Sequence, residues 1–158
     1  MEAMKTFKCI LIASLSLFAA LHAAVDTGSA APAFTVLDST GAELSLSDFK
    51  GKYVVLEWTR HNCPFVVKYY QNGDMQGVQQ ELTDAGVVWL QMASTAKGKS
   101  GVLTAQEAEA MRAKQAVHST AFLLDTKGNV GRAYGARTTP HMFLINPEGV
   151  VIYQGAID

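Results

Sequence analysis

Cysteine is almost absent from this chain: its 158 residues hold two, Cys9 and Cys63. Cys9 lies inside an apolar N-terminal run, so a mature chain that has lost that run keeps Cys63 alone and can form no internal disulfide. Any thiol chemistry must then be completed by another molecule. Charge of one sign is missing as well. Thirteen Lys and Arg face fourteen Asp and Glu for a net charge of -1, which excludes a bulk electrostatic pull toward nucleic acid. There is no internal repeat and no long linker. Hydrophobic residues make up 49% and charged residues 17%, a balance that predicts one folded domain around one core.

The first residues read as an address. Lys5 and Lys8 form a positive start, C-I-L-I-A-S-L-S-L-F-A-A-L runs from Cys9 to Leu21, and the small residues Ala23 and Ala24 offer cleavage sites. The apolar run is too short and too abruptly ended for a comfortable membrane span. The expectation is a cleaved signal over residues 1–24, a mature domain over 25–158, and a periplasmic or secreted setting in which disulfides persist. Membrane attachment through an uncleaved signal is the alternative.

What is present concentrates between Trp58 and Tyr70, in W-T-R-H-N-C-P-F-V-V-K-Y-Y. Cys63 follows an apolar strand and precedes Pro64 at the start of a helix. Proline suits the first helical position because it sacrifices no hydrogen bond there. A helix N-terminus presents unpaired N–H groups and a positive dipole end, both of which favour a thiolate. The thiolate is the nucleophilic form, so this placement marks Cys63 as reactive. The bland alternative is a buried cysteine acting as a small hydrophobe.

The remaining elements follow from local pattern. Phe34–Asp38 and Glu43–Leu46 read as strands joined by the turn D-S-T-G, and Ser47–Gly51 as one capped helical turn. Tyr53–Trp58 has the near-continuous apolar run of a strand covered on both faces. The helix begun at Cys63 and Pro64 is interrupted at Asn72-Gly73 and resumes near Asp74, with Met75, Val78 and Leu82 on its buried side. Val87–Met92 is another buried strand. The loop A-S-T-A-K-G-K-S lacks the first glycine of a phosphate-binding loop and has no helix directly after it, so it reads as a solvated connection. Thr104 with Glu107 forms a capping box opening a helix to Val117. Thr120–Asp125 is a strand, Gly128–Ala136 a short helix, and Met142–Ile145 with Val150–Tyr153 an antiparallel hairpin about N-P-E-G. Pro140 stands directly before a strand, where a cis peptide is affordable.

The order strand, cysteine at a helix start, helix, strand, helix, strand, helix, Thr-Pro and hairpin resembles the thioredoxin superfamily over about Phe34 to Gly155. The marks are the Trp58 to Cys63-Pro64 segment, G-R-A-Y-G-A, and Thr139-Pro140 before F-L-I-N-P-E-G-V-V. Within it the chain is similar to the redoxin branch, which groups alkyl hydroperoxide reductase and thiol-specific antioxidant proteins with exported TlpA-like thiol-disulfide proteins. C-P-F-V-V-K-Y-Y is similar to a peroxiredoxin-like group carrying a single C-P cysteine followed by an aromatic residue and a lysine. The resemblance implies an α/β three-layer sandwich with a mixed central sheet, flanking helices and an N-terminal hairpin. Such domains usually carry a final helix after the hairpin. Here the sequence stops soon after Tyr153, so either one sheet face is exposed or the chain is a fragment whose missing part could hold a resolving cysteine.

The departures are specific. Val66 stands where a C-x-x-C motif has its second thiol. Arg60 stands three residues before the cysteine, where peroxiredoxins have threonine, and Pro140 where they have an arginine; Arg60 or Arg137 would have to replace that arginine.

Three readings follow. In the first, Cys63 attacks a disulfide-bearing protein or a peroxide and is resolved by an external thiol or a thioredoxin-like reductant, with no cofactor. The resemblance places Pro140 beside Cys63, gives Arg60 an activating charge with His61 as a further one, and sets Trp58, Pro64, Phe65, Thr139 and His141 around the substrate. In the second, His61, Cys63 and His141 hold copper or zinc, a soft thiolate with imidazoles suiting either ion. In the third, the domain has lost catalysis and serves only as a binding surface.

Overall fold

The structure, a computed structural model, describes residues 24–157. The expected signal segment, Cys9 included, lies outside the described residues. Among the described residues no helix is long and apolar enough to cross a membrane.

Seven strands and four α-helices form among the described residues. β1 (Thr35–Leu37) and β2 (Glu43–Ser45) make a two-stranded antiparallel hairpin followed by a 3-10 turn over Leu46–Phe49. Then come β3 (Val54–Trp58), α1 (Pro64–Gln71), α2 (Asp74–Asp84), β4 (Val88–Ala93), α3 (Ala105–Lys114), β5 (Ala121–Leu124), α4 (Asn129–Tyr134), β6 (His141–Ile145) and β7 (Val151–Gly155). The last five strands form one mixed sheet in the order β5-β4-β3-β6-β7, parallel across β3, β4 and β5 and antiparallel at β6 and β7. β3 is central and buried along its whole length, as its apolar run requires.

Alternation along the strands divides the core in two. Val54, Leu56 and Trp58 point with Leu90, Met92 and Phe143 to one face, where Val130 and Tyr134 of α4 and Phe34 cover them. Val55, Trp89 and Met142 point to the other, under Val66 and Tyr70 of α1 and Met75 of α2. Ala108 of α3 covers Phe122 on that same face. The result is helices, sheet, and helix with hairpin: three layers. The hairpin segment reaches both sheet edges through bridges from Ala30 to Val150 and from Asp38 to Leu123.

Local punctuation acts as read. Gly73 takes a left-handed φ of 81°, separating α1 from α2, and Thr104 and Glu107 cap α3 reciprocally. The Thr139–Pro140 bond is cis. One expectation needs correction. Met75 is buried, but Val78 is 39% exposed and Gln79 takes the interior place beside Met75 with 0% exposure. The reason is chemical: the Gln79 amide has buried partners in Glu57 and Tyr70, while Val78 joins an apolar groove of about 470 Å³ with Tyr53, Leu82 and Tyr153. Among the described residues no helix follows β7, and that groove lies open.

Candidate active site

The site forms where the central strand ends. The Cys63 N–H donates to the Arg60 carbonyl at 2.9 Å, closing a tight turn directly after β3. The Cys63 carbonyl then accepts from Val67 at 2.9 Å, the first bond of α1, and Cys63 itself is the N-cap residue. Its backbone is extended, so the side chain stands off the helix end toward the loop before β6. There the Cys63 thiol donates to the Thr139 carbonyl at 3.1 Å. The antiparallel register that pairs Trp58 with His141 brings these two strand ends together.

Opposing influences set the thiol's acidity. Burial favours the neutral thiol, as does the Thr139 carbonyl, which accepts only from a protonated sulfur. Against them act the Thr139 side chain, the Val66 and Phe65 N–H groups of the first helical turn, and the Arg60 cation. The balance holds the thiol below its ordinary range.

A cleft of about 440 Å³ opens beside the sulfur, lined by Arg60, Phe65, Ser94, Arg137 and Thr139 among others. Phe65 stands 68% exposed at its rim. Trp58 is a wall residue, 3% exposed, its ring packed on Tyr134 and Phe143 at 5.3 and 5.2 Å. Its indole N–H donates to Ser94 Oγ at 3.0 Å, and that hydroxyl donates to Asp125 at 2.7 Å. Asp125 in turn accepts the Asn129 and Gly131 N–H groups at the start of α4. Gly131 is needed for this closeness, because a Cβ there would lie 2.8 Å from Ser94 Oγ. Thus the wall opposite Cys63 is a hydrogen-bonded chain from β3 through β4 to α4.

The expected residues separate on inspection. Cys63, Arg60, Trp58, Phe65 and Thr139 share the cleft, Pro140 is buried at its edge, and Pro64 opens α1 with its ring exposed. Arg60 donates to the Ser100 carbonyl at 2.8 Å, across the loop that resembled a phosphate-binding sequence. Gly101 permits this approach, since a Cβ there would sit 2.5 Å from Arg60 Nε. His141 does not line the cleft: its ring lies 4.6 Å from Phe143 and its Nδ1 accepts weakly from the Arg137 N–H at 3.4 Å. Burial and the Arg137 cation hold its imidazole below the usual range, toward the neutral form.

The copper or zinc set of His61, Cys63 and His141 is therefore corrected. Among the described residues no three His, Cys, Asp or Glu side chains gather where one ion could be shared. His61 lies by Glu107 of α3, His141 stacks on Phe143, and the Cys63 sulfur is turned to Thr139.

A second polar cluster was missed in the sequence. Glu57, on β3 and 0% exposed, accepts from Trp89 Nε1 at 2.8 Å, from Gln79 Nε2 at 3.2 Å and from the Tyr70 hydroxyl at 2.8 Å. Tyr70 Oη accepts from Gln79 and Gln91 at 2.8 and 2.7 Å, and Gln91 accepts from Ser119 at 3.0 Å. Burial pushes the Glu57 carboxyl up to about 7 against the pull of these donors. Burial and the adjacent Glu57 push the Tyr70 phenol up, so it stays protonated and can donate. The signal was available as one acidic residue inside Y-V-V-L-E-W, a strand otherwise read as covered on both faces.

A mixed five-strand sheet, helices on both faces, a cysteine capping the helix after the central strand and a cis-proline loop against its sulfur define a protein of the thioredoxin-like class. More narrowly, the chain belongs to the AhpC/TSA family, whose model matches residues 27–154. It is similar to the thiol-disulfide oxidoreductase ResA of Bacillus subtilis (strain 168), 29% identical over 143 residues that cover 81% of this chain and 66% of that one. It thus spans just under two thirds of that relative's length. Among solved structures, an uncharacterized conserved protein from Geobacillus kaustophilus superposes with a TM-score of 0.77 at 20% identity, covering 84% of this chain and 70% of the other. The thioredoxin domain of a thiol-disulfide oxidoreductase from Bacteroides vulgatus does so with a TM-score of 0.65 at 23% identity, covering 84% and 90%.

Proposed function

We propose that this protein is an exported thiol-disulfide oxidoreductase that works through one cysteine. The observation that carries the reading is the Cys63 sulfur at the N-terminus of α1, 3.1 Å from the Thr139 carbonyl, with Arg60 favouring its ionised form. The Cys63 thiolate attacks one sulfur of a substrate R–S–S–R′, forming Cys63–S–S–R and releasing R′S⁻. Val66 occupies the place of an internal resolving thiol. An external thiolate R″S⁻ therefore attacks the Cys63 sulfur and expels RS⁻, and a second R″S⁻ attacks the sulfur it left bound to Cys63. That step returns the Cys63 thiolate and releases R″–S–S–R″, so two external thiols are oxidised as one substrate disulfide is reduced.

A disulfide fits better than a peroxide. The positions where peroxiredoxins carry an activating threonine and arginine hold Arg60 and Pro140 here, and the cleft beside the sulfur is lined by Thr138 and Thr139 of the loop before β6. The ResA relative is a thiol-disulfide oxidoreductase by name, which supports the same chemistry. Export rests on the signal-like residues 1–24. Incubating the protein with a small disulfide and measuring intact mass is the test. The expected product is a single adduct on Cys63 that an added thiol removes, absent in Cys63→Ser. Oxygen addition from peroxide without any disulfide adduct would redirect the assignment to peroxide chemistry.

A further inference from the structure

We infer that the cleft beside Cys63 selects anionic disulfides, those whose sulfur-bearing group carries a carboxylate within a few bonds of the S–S linkage. This deepens the one-cysteine reading and rests on it. The cleft is lined by two cations, Arg60 and Arg137, and by no carboxylate. Both arginines are exposed, and among the described residues neither forms an ion pair. Arg60 spends an Nη2 hydrogen on the Ser100 carbonyl of the loop after β4, which anchors the side chain at the cleft's margin with no carboxylate partner among the described residues. Arg137 enters from the loop between α4 and β6, so the two cations come from different walls.

One acid, Asp125, lies behind Ser94 in the wall. It is 3% exposed and accepts from Ser94, Asn129 and Gly131, so its charge is already engaged by the α4 N-terminus. The remaining polar lining, beyond Cys63 itself, is hydroxyl, from Ser94 and four threonines, Thr59, Thr95, Thr138 and Thr139. An arginine meets a carboxylate with two parallel N–H donors, a geometry that no hydroxyl-bearing or cationic disulfide can use. A substrate carboxylate placed there would sit beside the reacting sulfur and hold it in line for attack. The thiolate itself repels anions, so a preference for anionic substrates requires the arginines to outweigh it.

Three near-isosteric probes separate the terms: 3,3′-dithiodipropionate as the anion, bis(2-hydroxyethyl) disulfide as the neutral, and cystamine as the cation. The rate of adduct formation on Cys63 in the full protein is followed by mass at low ionic strength. The anionic probe is expected to react on the order of tenfold faster than the neutral one and cystamine slowest, with the spread shrinking as salt is raised. Arg137→Gln should lower the anionic-to-neutral ratio several-fold. Equal rates for anion and neutral, or cystamine fastest, would overturn the selectivity while leaving the thiol reading intact. No Cys63 adduct from any of the three would instead defeat the thiol reading beneath it.

Discussion

The two ends of α1 each carry a polar cluster, and the two are built to opposite rules. At the N-terminal end Cys63 meets an open cleft whose arginines lack carboxylate partners. At the C-terminal end Tyr70 is buried against the sheet, and its hydroxyl is fully engaged: one bond given to Glu57, two received from Gln79 and Gln91. Unsatisfied polar groups at a surface are available for a ligand. Satisfied ones inside a core fix geometry. A single helix of eight residues therefore links a place for chemistry to a rigid anchor.

The sharpest way to break this contrast is at the hub. Tyr70→Phe leaves Gln91 Nε2 and one Glu57 oxygen without a partner in the interior, and should cost about 4 kcal/mol of unfolding free energy in chemical denaturation. Cys63→Ser, by contrast, should leave stability nearly unchanged while removing every thiol reaction.

Next in size is the pH dependence of the anchor. Glu57 has its folded pKa raised from 4.5 to about 7, so between those values the folded chain keeps a proton that the unfolded chain has released. Its contribution is full below pH 4.5, falls as pH rises through the window, and is constant above about 7. The loss amounts to about 3 kcal/mol. Denaturation curves of the native protein and Glu57→Gln across that window should diverge by this amount, and parallel curves would show that Glu57 titrates as in the unfolded chain.

The smallest effect tests a helix start outside both clusters. Thr104→Ala removes the hydroxyl that accepts from the Glu107 N–H and should cost about 1 kcal/mol with little effect on Cys63 reactivity.

The same contrast explains what could be read in the sequence. Features written in neighbouring residues were legible: the Cys63-Pro64 helix start, the Asn72-Gly73 break, the Thr104 capping box and the Thr-Pro step before β6 all depend on local backbone rules. The Glu57 cluster was not, because Gln79 and Gln91 reach Tyr70 only after β3 and β4 pair in parallel and α1 and α2 fold over them. Helical spacing alone assigned Val78 to the interior, since an amide counts as polar until its buried partners are known. The histidines failed as metal ligands for a related reason: His61 and His141 flank the thiol in sequence and in register, yet their rings find other neighbours.

The central claim is that the N-terminal end of α1, with Arg60, holds the Cys63 thiol below the pKa of a free cysteine. Its most direct test is the rate of iodoacetamide alkylation of Cys63 as a function of pH. The account predicts a midpoint below that of a free cysteine measured alongside, moving upward in Arg60→Gln. A midpoint at or above that of the free cysteine, unmoved by that substitution, would contradict it.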